Sequence, residues 1–192
     1  MKWNKIRIKE IRKKAFESLS YVDDNANDKN QKYIWYVRVI PIIFACCLLL
    51  CKVFLTSDII SYMITSISIF AGLFFGLLFI VTERYNSKKE QLQSDMNEEV
   101  KNYLIRYQNF SRFLIRQISY SIVLSIALIC LMAMVYFAPQ IPHWNFWGCG
   151  DIIRLISKYV LNAFIYYWSV QFVVFIIVIL GNTFVMLSDD IN

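Results

Sequence analysis

Few residues in this chain could carry bond-making chemistry. The 192-residue sequence holds a single His, at position 143, and five Cys, at 46, 47, 51, 130 and 149. General acid–base work draws most often on imidazole, so one imidazole leaves it few players. His143, Cys149 and Asp151 are close in sequence, but candidate ligands without paired spacing do not make a metal signature. No Walker loop, nucleophile elbow or HExxH motif occurs. Cys46, Cys47, Cys51 and Cys130 fall in apolar stretches, lipid-facing or packed, where a thiol is inert. Cys149 has no obvious disulfide partner. The expectation is no enzyme activity, no cofactor and no metal.

The residues suited to recognition are more numerous. Tyr103, Arg106, Tyr107, Phe110, Arg112 and Phe113 crowd into one short charged segment, and aromatics and Arg are the types enriched where proteins bind proteins. They form a candidate partner-binding surface, with a structural spacer as the plainer reading. Ser68, Gly72 and Gly76 repeat at four-residue spacing. That is the small-xxx-small pattern through which helix backbones approach closely, either within one chain or between copies in a homo-oligomer. Asn162, Gln171 and Asn182 are isolated polar residues in a long apolar run. They read as interhelical glue or, more sharply, as a polar pore face. No apolar run has a centrally placed acid, which disfavours a proton relay or ion-coupled transporter.

What positions these residues is a membrane. The chain is 58% hydrophobic yet carries 20 Lys and Arg and 14 Asp and Glu, so charge and apolar surface are segregated along it. Apolar blocks run over residues 34–55, 59–81, 118–138 and 159–187, and about 20 apolar residues suffice to cross a bilayer as a helix. Nothing alternates as barrel strands would. Residues 1–38 hold ten Lys and Arg and 83–117 hold seven, against one in 52–58 and two in 139–158. By the positive-inside rule the two basic segments and both termini are cytoplasmic. The formal charge of +6 is therefore read as topology and not as direct nucleic-acid binding.

The spacing of Trp3, Ile8, Ile11, Ala15 and Leu19 among basic residues predicts an amphipathic helix over 2–22. Such a helix lies against anionic headgroups or docks a cytosolic partner, and the Asp/Asn-rich 23–28 follows as a linker. No apolar core backs the basic N-terminus, so no signal peptide is expected. Residues 82–93 extend the second span, and 94–99 form a turn with a capping pair, Asp95 and Glu98. Val100, Leu104, Tyr107, Ser111 and Leu114 then make the stripe of a helix feeding the third span. Trp144, Phe146 and Trp147 suit an outer headgroup belt. The expected fold is all-α: a four-helix polytopic membrane protein with a cytoplasmic helical hairpin, 83–117, between spans two and three. Residues 1–33 form a basic cytoplasmic segment and 34–192 the membrane domain.

The stretch from Phe70 to Arg84, FAGLFFGLLFIVTER, and Asn102 to Tyr107, NYLIRY, resembles small four-span proteins of bacterial defence loci. In size and layout the chain is similar to the membrane subunits of the Kiwa antiphage system. The resemblance implies a homo-oligomer in the bacterial inner membrane that senses infection and works with a DNA-binding cytosolic subunit. It assigns no functional residue. Beside it stands the alternative of a pore-forming effector that disrupts membrane permeability.

Overall fold

The computed structural model describes residues 8–18, 31–51, 55–91, 98–137 and 150–189. Among them are five helices and no strand: α1 (Ile8–Ser18), α2 (Gln31–Leu50), α3 (Ser57–Gln91), α4 (Glu98–Phe137) and α5 (Gly150–Asp189). Helices α3, α4 and α5 are each long and apolar enough to cross a membrane. Helix α2 is the exception, because its apolar part, Val37–Leu50, falls short of the about 20 residues a crossing needs. Lys52, beyond its end, lies outside the described residues.

Local chemistry accounts for the long elements. Thr56 caps α3: its carbonyl accepts the Ile60 amide at 3.0 Å and its hydroxyl the Ile59 amide at 3.5 Å, with Asp58 in the positive first turn. From there no Pro interrupts α3, α4 or α5, and hydroxyls fold back on their own helices. Thr65, Ser68, Ser111 and Thr183 each donate to the carbonyl four residues earlier, at 2.7–3.0 Å, which satisfies them within their own helix. In α2, Pro41 sits inside the helix on the buried stripe of Val37 and Ala45.

Burial follows seven-residue repeats. On α4, Leu104, Tyr107, Ser111, Leu114, Ile118, Ser121, Ser125, Leu128 and Met132 are all buried, an unbroken alternation of three- and four-residue steps. That is a coiled-coil seam. On α3 the buried residues are Ile60, Ile67, Phe74 and Val81, one per heptad, and on α5 Ile165, Phe172 and Ile179 keep the same interval. The other faces of α3 are apolar and open, with Tyr62 75% and Phe79 77% exposed. In water so large a patch would be a liability, whereas lipid tails cover it without penalty.

The chain forms two compact units. One comprises residues 1–34, 72–122 and 175–192, and the other residues 35–71 and 123–174. The first contains α1, the charged parts of α3 and α4, and the end of α5. The second contains α2 from Trp35 on, the start of α3, the end of α4 and most of α5, with Asn162, Ser125 and Gln171 buried.

Candidate functional site

The first unit pairs two charged helical arms, the ends of α3 after Val81 and of α4 before Ile118. Neither arm is a loop, since α3 runs unbroken to Gln91 and α4 unbroken from Glu98. Cations and rings tie them. Lys88 Nζ lies 5.5 Å from the Tyr107 ring centre and 5.9 Å from that of Tyr103. Arg112 Nε donates to the Tyr85 hydroxyl at 2.9 Å while its guanidinium stacks 5.6 Å from that ring. Cation–π contacts contribute about 0.5–1 kcal/mol each at exposed sites. Where the arms meet the apolar run, the Asn182 amide of α5 donates to Gln117 Oε1 at 3.0 Å, and Gln117 is 1% exposed.

These contacts sort the six expected partner-binding residues into three groups. Tyr107 belongs to the seam: it is 6% exposed, its backbone carbonyl accepts the Ser111 hydroxyl at 2.9 Å, and its ring packs against Tyr103. Arg112 is exposed but committed to Tyr85. Tyr103 shares Lys88 and packs on Tyr107, and with Arg106, Phe110 and Phe113 its three- and four-residue spacing makes a second stripe beside the seam. Tyr103 and Arg106 are exposed, and Phe110 and Phe113 half-buried. The Arg116 guanidinium lies 5.8 Å over the Phe113 ring. A half-buried aromatic stripe with an exposed Arg on a continuous helix presents the residue types that protein interfaces favour.

The other expected residues fall as follows. Ser68, Gly72 and Gly76 are exposed on α3, and a Cβ built at either glycine would meet nothing within 4 Å. Among the described residues of one chain nothing covers this face. Asn162 and Gln171 are each 2% exposed, and Asn182 is half-buried in its bond to Gln117. Cys46 and Cys47 on α2, Cys51 just beyond its end and Cys130 on α4 are exposed. His143, Cys149 and the outer Trp residues lie outside the described residues, as does the Asp151 side chain. Val100, expected on the α4 stripe, is 44% exposed in the first turn of α4.

Sequence reasoning missed Phe16, Tyr85, Lys88 and Gln117. Lys88 had a readable signal, since it continues the interval Ile60, Ile67, Phe74, Val81 by seven residues. Gln117 had none, being one more polar residue in a charged arm.

No family model matches this chain, and no curated protein and no solved structure matches it.

Proposed function

We propose that this protein is an integral component of the bacterial inner membrane in an antiphage defence system, acting as an oligomeric scaffold or sensor that docks a cytosolic protein. The defence role rests on the resemblance of FAGLFFGLLFIVTER and NYLIRY, which makes a DNA-binding subunit the first partner to try. The docking role rests on one observation: Tyr103, Arg106, Phe110 and Phe113 line a stripe on a helix that continues unbroken for 40 residues into the apolar region. A change in packing along such a rod displaces its charged end, where a flexible loop would absorb the motion. On this reading the apolar block 34–55 is the first of four spans, and the Lys and Arg asymmetry puts both termini and both arms in the cytoplasm. The open Ser68/Gly72/Gly76 face supplies the contact between copies.

Burial of Asn162 and Gln171 inside one chain favours this reading over a pore-forming effector, whose polar residues would face a lumen. Arg106→Ala with Phe110→Ala tests it, because neither side chain is in the seam or in the Lys88 and Tyr85 contacts between the arms. Truncated hot spots commonly cost about 2 kcal/mol or more, roughly a thirtyfold loss of affinity. The double variant is expected to insert normally and to lose partner recovery and phage protection. Full protection by that variant, together with ion flux from the purified protein in liposomes, would overturn the scaffold reading in favour of the effector.

A further inference from the structure

Two guanidinium groups stand where the charged arm of α4 meets its apolar run. Arg116 is the last charged residue of that arm, and Arg112 lies four positions earlier. Four residues turn a helix through one revolution and about 40° more, so both occupy one flank of α4. The seam separates that flank from Tyr103 and Phe110. Arg112 is exposed and Arg116 half-buried.

Each is held by a ring and not by an acid. Arg112 gives its Nε–H to the Tyr85 hydroxyl, at 2.9 Å, which leaves the four N–H groups at the end of the fork. Arg116 lies 5.8 Å over the Phe113 ring. Among the described residues neither has a carboxylate partner. The acids of the neighbouring elements fall elsewhere by register. Glu83 and Glu90 are on the side of α3 opposite Val81, Tyr85 and Lys88. Helix α1 packs one turn deeper, where Phe16 meets the Tyr120 and Phe175 rings at 5.8 and 5.7 Å. Positions Glu10 and Glu17 are on its side away from Ala15 and Phe16. Helix α5 joins α4 through Gln117 and Asn182, about 100° or more around the axis from either Arg, and its terminal Asp189 belongs to that other flank. Glu98 and Glu99 begin α4, about 20 Å beyond Arg112 at about 1.5 Å per residue.

The level of the pair is that of lipid headgroups. The apolar runs of α3 and α4 end together, because Tyr85, two residues past the first charge of that arm at Glu83, meets Arg112. Headgroups add about 5–8 Å outside the hydrocarbon core, and one helical turn is about 5.4 Å. Arg116 at the edge and Arg112 one turn out therefore span the headgroup layer. Arg is the side chain whose planar fork matches a phosphate.

We infer that Arg112 and Arg116 form a binding site for the phosphate of an anionic membrane phospholipid. A zwitterionic headgroup brings its own ammonium to the phosphate, so the anionic class gains most from two unpaired cations. The inference rests on α3 and α4 crossing a membrane and not on partner docking or defence. Each Arg near an anionic surface contributes roughly fivefold in affinity.

The test is a titration of phosphatidylglycerol into the full chain in neutral detergent micelles, with bound lipid counted by native mass spectrometry. Arg112→Gln with Arg116→Gln is expected to weaken lipid binding by roughly 25-fold. Arg116→Gln alone, which keeps the bond between Arg112 and Tyr85, should weaken it about fivefold. Lys101→Gln, on the same flank but about 16 Å further out, should change nothing. Inorganic phosphate at matching concentration should not displace the lipid. Unchanged binding in Arg116→Gln or in the double variant would overturn the inference. A loss in Lys101→Gln equal to that in Arg116→Gln would overturn it too, reducing the effect to overall positive charge. So would displacement by inorganic phosphate, which would replace the membrane lipid with a free-anion site.

Discussion

Helices α3 and α4 have the same mean hydropathy in their most apolar windows, 2.4, yet 17% of the α3 window is buried against 44% of the α4 window. Hydropathy measures compatibility with lipid and is silent on which helix is the hub. The difference lies in the small polar residues. Ser111, Ser121 and Ser125 on α4 are fully buried in its seam. Ser68, Gly72 and Gly76 on α3 offer the same sizes at a similar spacing and are uncovered. The helix with both seam positions of every heptad occupied is the one others pack on, and the helix with one per heptad keeps a free side for lipid or a second copy.

The largest expected effect breaks this contrast directly. Leu128→Ala, at a fully buried seam position, should cost about 2–5 kcal/mol of stability through the lost contacts and the cavity. Leu73→Ala, 62% exposed on α3, should cost less than about 0.5 kcal/mol. Unfolding in mixed detergent micelles compares the two, and equal losses would mean that α3 is packed as α4 is.

Next in size is a variant that sharpens what covers α3. A Cβ at Gly72 or Gly76 meets no described neighbour within 4 Å, so Gly72→Ile with Gly76→Ile should move the stability of the monomer by no more than about 0.5 kcal/mol. Self-association measured by cross-linking stoichiometry should fall by about tenfold or more, since contacts between close-approaching backbones are not replaced by lipid. Unchanged stoichiometry would leave that face to lipid.

Much of this architecture was legible in the sequence, and the illegible parts have definite causes. The continuation of the second apolar block to Gln91 followed from the lack of Gly or Pro after Thr82, and the stripe Leu104, Tyr107, Ser111, Leu114 followed from its period. The α5 start at Gly150 did not, because Asp151, Arg154 and Lys158 lower the hydropathy of a segment whose helical character is intact. The partner-binding cluster was legible as composition and illegible as geometry. Tyr103, Tyr107 and Arg112 meet Lys88 and Tyr85 of α3 while Arg106 is exposed, a distinction that only the position of α3 decides.

A smaller effect separates the arms from the apolar seam. Lys88→Ala removes the cation above Tyr103 and Tyr107 and should cost about 1 kcal/mol, read as faster amide exchange over 98–107 with the apolar parts of α3 and α4 unchanged. The smallest concerns Ser121, whose hydroxyl is buried without a hydrogen-bond partner. Ser121→Ala should be neutral or stabilising by less than about 1 kcal/mol, whereas Ser111→Ala gives up a bond of 2.9 Å. A clear loss of stability in Ser121→Ala would assign that hydroxyl a role in packing that its surroundings do not suggest.

The central claim is that the stripe of Tyr103, Arg106, Phe110 and Phe113 is where this protein meets its partner. A photo-crosslinking residue placed at Arg106, and separately at Leu73 on the open side of α3, tests it most directly in cells that carry the chain with its own neighbouring genes. The account predicts a covalent adduct between position 106 and the product of a neighbouring gene, and adducts from position 73 to lipid or a second copy alone. A neighbouring product captured at position 73 and not at 106 would contradict it.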